Sequence, residues 1–195
     1  MKMVLQLFKS HFGQDYCIGL MILYPLVQRS IKAILKIIWR KTMEIKAEFL
    51  FDMRINFDRE SIIRIGETPY GDRSIIYVTG GTIKGPKVKA TVLPGGGDWI
   101  LRRKDTVSLL DVRIAARLDD KELLYICYQG YLIIKPEQLK QIYKGKSVAP
   151  SDYYFRALPL FETASQKYAW LNKIISVAVG EILPGAVAYS VYALL

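Results

Sequence analysis

Any chemistry in this chain must run on carboxylates, guanidiniums and phenols. The 195 residues contain one histidine, His11, and two widely separated cysteines, Cys17 and Cys127. No Ser-His-Asp triad can form beyond the N-terminal region, and one His without a C-x-x-C pair leaves no His/Cys metal set. No metal and no cofactor is expected. The G-x-x-x-x-G-K-[ST] pattern is absent. The stretch G-G-T-I-K-G at 80–85 reads as strand-turn-strand, without the helix a phosphate loop requires.

The residues that remain fall into four groups. Asp98 follows Gly95-Gly96-Gly97 and precedes Trp99. It suits the mouth of a pocket, or else caps its own loop through nearby backbone amides. Asp111 and Arg113 are two apart, so they share one face of a strand. That face looks into a lumen, where a carboxylate–guanidinium pair could hold a ligand's polar group, or into water, where the pair contributes little. Arg156 in Y-Y-F-R and Glu162 in F-E-T either receive a ligand or fasten two strands as an ion pair. Trp170 and Asn172, read as neighbours on a strand face, offer an apolar wall and an amide. The candidate ligand-binding residues are therefore Asp98, Trp99, Asp111, Arg113, Arg156, Glu162, Trp170 and Asn172. A buried carboxylate among them could carry acid/base chemistry on a hydrophobic compound, such as an isomerisation, cyclisation or elimination.

These side chains are positioned by strands. From Ile45, apolar residues recur every second position through Ala47, Phe49, Phe51, Met53, Ile55 and Phe57, the period of a half-buried strand. Gly and Pro clusters at 66–71, 80–81, 85–86 and 94–97 punctuate the chain beyond it. Residues 107–118 alternate with Leu110, Val112, Ile114, Ala116 and Leu118 on one face. Residues 122–134 are apolar on both faces, which predicts a central strand. Pro136 to Tyr143 reads as a short helix, with Pro near its start and Gly145 beyond its end. Residues 153–158, 174–179 and 186–194 complete the strands.

The expected fold is all-β: an antiparallel β-barrel of about 8–10 strands with one short helix, preceded by an N-terminal amphipathic helix. Closure is preferred over a sandwich because long apolar strands would otherwise expose aggregation-prone edges.

Charge divides the chain in two. The net charge is +10, but residues 1–42 carry seven basic groups against Asp15, leaving 21 basic and 17 acidic residues for 43–195. The main domain is only mildly basic and shows no nucleic-acid signature. Within 1–42, the apolar run 17–27 is too short to span a bilayer. Arg29, Lys32, Lys36 and Arg40 then fall on one helical face opposite Ile31, Ile34, Leu35 and Ile38. Residues 17–41 would suit a membrane surface, packing on the barrel or a partner, or, with Met43 as the start, no role at all.

Three stretches carry a resemblance: V-T-G-G-T-I-K-G-P at 78–86, L-P-G-G-G-D-W at 93–99, and F-R-A-L-P-L-F-E-T…Y-A-W-L-N at 155–172. With L-D-V-R at 110–113, they resemble the uncharacterised family called domain of unknown function 3237, also uncharacterised protein family 0311. The resemblance covers 43–195 and none of 1–42. It implies a compact, often self-associating β-barrel and brings no reaction. One departure stands out: Asp119-Asp120-Lys121 replaces an Asp-Asp-Gly turn, so a different turn shape is expected where glycine no longer supplies positive φ.

Two alternative functions are expected. One is a small-molecule-binding barrel for a hydrophobic or anionic compound, with or without acid/base activity. The other is a non-catalytic, self-associating interaction barrel attached to a membrane surface through 17–41. A homo-oligomer is expected in either case, cytoplasmic and either free or peripheral to a membrane.

Overall fold

The computed structural model describes residues 29–30, 44–146 and 148–195. The chain divides into two compact units, Met1–Glu44 and Ile45–Leu195. The amphipathic helix expected over 17–41 lies, apart from Arg29 and Ser30, outside the described residues. Among those described, no helix is long and apolar enough to cross a membrane.

Eleven strands build the second unit: β1 Ala47–Phe57, β2 Ile63–Thr68, β3 Gly71–Lys84, β4 Lys89–Val92, β5 Gly97–Asp98, β6 Leu101–Arg102, β7 Ser108–Leu118, β8 Leu123–Ile133, β9 Tyr154–Thr163, β10 Ser176–Leu183 and β11 Ala186–Leu194. Every pairing is antiparallel, and β1 bonds both β11 and β3, which closes the barrel. The short pieces β4, β5 and β6 each lie between β3 and β7. They act as one interrupted stave, and β1 and β2 share one side of β3 in the same way. The chain is thus an eight-staved meander in which successive staves are neighbours. Where β1 meets β3, Gly81 permits the close approach: a Cβ there would lie 2.0 Å from the Arg54 carbonyl oxygen.

The period-two reading locates most strands and the helix Pro136–Tyr143, but Gly80-Gly81 lie inside the continuous strand β3 instead of breaking the chain, and three further corrections apply. First, β1 carries a bulge between Phe49 and Phe51 against β11. Leu50 and Phe51 are consecutively buried, and Phe49 turns outward onto the edge of Tyr192. A bulge inserts one residue and reverses the inside–outside phase, which alternation alone cannot show.

Second, β9 runs past Pro159 to Thr163. Proline is tolerated there because β9 and β10 pair only at Ala157–Ala178 and Arg156–Val179. No ladder donor is required at 159, and the Ser176 hydroxyl donates to the Pro159 carbonyl. Third, Trp170 and Asn172 sit in the 3-10 helix Ala169–Lys173 instead of on a strand.

The interior is packed solid at one end by Leu50, Phe51, Ile83, Val92, Ile114, Leu124, Ile126 and Leu171. The segment around 165–172 is fixed to the β7–β8 turn: the Tyr168 hydroxyl donates to Asp119 at 2.8 Å, and Lys167 pairs with the same carboxylate at 2.8 Å. In that turn Lys121 takes φ 73°. Its side-chain-bearing backbone occupies the left-handed region that glycine adopts most easily.

Candidate functional site

The other end of the barrel is hollow. A cavity of about 260 Å³ lies within it, ample room for a small organic molecule. Its walls are apolar, including Ile55, Ile76, Val78, Ile100, Leu110, Val112 and Leu132, and Leu139 and Tyr143 of the helix contribute at the open end.

One acid reaches its depth. Asp98 is opposite Val112 on β7 and Ile76 on β3, both of which line the cavity, so alternation sends its side chain inward with theirs. Gly96 makes the approach possible. It adopts φ 70°, and a Cβ there would lie 2.3 Å from the Arg113 carbonyl oxygen. Asp98 Oδ1 accepts the Asp111 backbone N–H at 3.0 Å. It thereby satisfies a donor left over where β5 gives way to β6, across the sheet and not within its own loop. Burial pushes the Asp98 carboxyl up to about 7. The Asp111 amide opposes this, the Asp111 charge adds to it, and Arg73 opposes it.

Two phenols complete the floor. Tyr128 and Tyr189 meet edge to face at 5.4 Å, and Phe155 packs on Tyr189 at 5.1 Å. Both hydroxyls are raised well above the ordinary phenol range. Burial is the main cause, modified by their bond to each other and by the Asp98 charge. At neutral pH the floor therefore presents two neutral phenols and a carboxyl near half-protonation, a set able to donate, accept or transfer a proton.

The mouth is cationic. Arg59, Arg64 and Arg102 line it with one acid, Asp72. Arg59 stacks over the Tyr143 ring at 3.9 Å. Burial raises the Tyr143 phenol, and the charges of Arg59, Arg102 and Arg64 oppose that rise.

Of the eight residues singled out in the sequence, only Asp98 lines this cavity. Trp99, Asp111 and Arg156 line a separate depression on the outer wall, together with Tyr131, Tyr154 and Leu158. Asp111 and Arg113 form a 2.9 Å ion pair with about half of each side chain exposed. The open choice between lumen and water is thus decided for water. Arg113 also stands 5.9 Å from the Trp99 ring. Arg156 donates to the Phe155 carbonyl and lies over Tyr154. Among the described residues, no ion pair joins it to Glu162, which is exposed near the end of β9. Asn172 clamps the Thr163 backbone at both N–H and C=O, and Trp170 packs against the core. Both belong to the solid end of the barrel.

Tyr128, Tyr189, Tyr143 and the three mouth arginines were not singled out in the sequence. Parity could have flagged Tyr128, which is in phase with Leu124 and Ile126. The arginines carry no local signal, because Arg102 reaches Arg59 and Arg64 only through the pairing of β2 and β6 with β3.

The family model described as "Protein of unknown function (DUF3237)" matches residues 45–194. A UPF0311 protein of Clostridium acetobutylicum is 35% identical over 150 residues, covering 76% of this chain and 94% of that protein. The crystal structure of a conserved protein of unknown function from Rhodopseudomonas palustris superposes with TM-score 0.73 at 28% identity, covering 79% of this chain and all of that one. A beta-barrel like protein from Acinetobacter baumannii gives TM-score 0.69 at 34% identity, over 80% and 99% of the two chains.

Proposed function

This chain belongs to the DUF3237 family, and because that description assigns no chemistry, we propose from the lumen itself that the barrel binds a small, mainly apolar molecule and can exchange a proton with it through Asp98. The observation that supports this most directly is the position of Asp98: a carboxyl titrating near neutrality, deep in an apolar cavity and facing two phenols. Such a group serves as acid in one step and base in the next, as enolisation or double-bond migration requires. Among the described residues Oδ2 has no hydrogen-bond partner, so one oxygen holds the sheet and the other is available to a guest.

Native mass spectrometry of the full chain, compared with its denatured mass, tests the binding. A reproducible extra mass is expected, and it should fall at least about tenfold in occupancy in Ile100→Trp, which fills the middle of the cavity. An extra mass that survives Ile100→Trp but is lost in Leu158→Asp would move the ligand to the outer depression and defeat the proposal.

A second role rests on the outer wall of β8 and β9. Tyr131, Leu158 and Leu160 are each more than half exposed, and Leu123, Ile133 and Tyr154 more than two-fifths. An aromatic and aliphatic face with arginine nearby is the composition of a subunit interface. We propose that a second copy of the chain covers it. Sedimentation of Leu158→Asp/Leu160→Asp should show a smaller species than the parent, and an unchanged mass removes this face from any assembly.

A further inference from the structure

We infer that the lumen's guest is an anion: a compact apolar body bearing one carboxylate-like group, seated with that group at Arg59, Arg64 and Arg102 and its opposite end at Asp98. This deepens the lumen-binding proposal and rests on it.

The geometry that points to this lies along single staves. Asp98 on β5, Ile100 in the break and Arg102 on β6 alternate inward along one stave, and all three line the cavity. Four residues of extended chain place the Arg102 backbone about 13 Å from that of Asp98. Side chains reaching in from both ends shorten this to the length of a small ring system with a polar group at each end. Arg102 is opposite Asp72, and Arg64 is opposite Ser74, so both guanidiniums rise at the same rim.

Charge decides what the rim wants. Three guanidiniums face one carboxylate, Asp72. Arg64 and Arg102 take part in no ion pair among the described residues. Arg59 makes its close contact with the Tyr143 ring, which leaves its edge donors available. On a flat surface a solvated cluster of cations would mean little. Here it rims the mouth of an apolar cavity, where low-dielectric walls focus its field on whatever enters. Guanidinium forks also match a carboxylate's two oxygens. At the far end the carboxyl and phenols suit a carbonyl or hydroxyl, and an ionised group placed there would meet the Asp98 charge. The cavity therefore orients its guest as well as attracting it.

A matched pair of probes separates this inference from the reading beneath it. 2-Naphthoate and 2-naphthamide have nearly the same shape and differ by one charge. Calorimetric titration of the full chain at about pH 6 and roughly 20 mM salt should find the naphthoate at least about tenfold tighter. In Arg64→Gln/Arg102→Gln that advantage should shrink to about twofold or less while the amide's affinity holds, which also shows that the variant is folded. Lys84→Gln removes one cation at the opposite end of β3 and should leave the advantage intact. Equal affinities in the parent chain, or an advantage that survives the double variant, overturn the inference and leave lumen binding standing. Failure of both probes to bind overturns the two together.

Discussion

Replacing Asp98 with asparagine should be visible in stability before any ligand is known. In the folded chain this carboxyl sits at about 7, against an ordinary 3.8. The folded state therefore holds the proton more tightly than the unfolded chain does. Linkage fixes the sign: the contribution is fully present below about pH 3.8, is lost as pH rises towards 7, and is flat above it. At roughly 1.4 kcal/mol per pH unit, the whole span is worth at most about 4 kcal/mol. That is a large part of the roughly 5–15 kcal/mol that typically holds a domain together. Asparagine has no such titration, and its amide oxygen can still accept the Asp111 N–H. Urea unfolding of both chains, followed by circular dichroism at about pH 5 and about pH 8, isolates the effect, because every other titrating group cancels in the double difference. The parent should lose about 2.5–3 kcal/mol relative to Asp98→Asn between the two pH values, or roughly 5–10 °C in Tm for a domain of this size. Parallel pH profiles would mean that Asp98 ionises like a surface carboxylate, and the acid/base role would lose its basis.

Other substitutions test the frame around the site. Phe51→Ala should cost about 3–5 kcal/mol in urea unfolding and Phe49→Ala well under about 1, because the bulge buries the first and exposes the second. Lys121→Gly should stabilise by about 1 kcal/mol, raising Tm by about 2–4 °C, since it relieves a side-chain-bearing residue of φ 73°. Gly96→Ala should cost more than about 2 kcal/mol, because both its φ and the 2.3 Å approach to the Arg113 carbonyl oppose a Cβ. It should also weaken 2-naphthoate binding by displacing Asp98.

Alternation and turn chemistry made the barrel legible, since each is a local property of the chain. The phase of a strand was legible only until a bulge intervened: Phe49 shares parity with Phe51 in the sequence and opposes it in space. Pro159 and the pair Trp170/Asn172 misled for a related reason. Whether a proline breaks a strand, or an aromatic stands on one, depends on what the neighbouring stave needs from it.

At the site, Asp98 could be found because the glycines before it announce a close approach. Asp111 and Arg113 were found just as easily, yet they face water, and nothing local separates an inward polar pair from an outward one. Strand β8 is apolar on both faces, which suggested a central strand. Its second face is instead the outer wall, where Tyr131 and Ile133 remain exposed. Arg59 and Arg64 lie close in sequence, but Arg102 joins them only through the pairing of β2 and β6 with β3, so no short window of sequence contains the whole cluster.

The interrupted stave has a consequence for how the site could be watched. At the break between β5 and β6, the Asp111 amide is held by the Asp98 carboxylate in place of a main-chain carbonyl. Its hydrogen-bond acceptor therefore changes charge when the lumen acid changes protonation. The amide belongs to an outward-facing residue, but its resonance registers an event inside the barrel. In a nitrogen–proton correlation spectrum, the Asp111 peak should move with a midpoint at about 7 in the free chain and adopt a new midpoint once the lumen is filled. The splice that repairs the sheet thus doubles as a spectroscopic gauge of the acid, read from the backbone and requiring no label in the cavity.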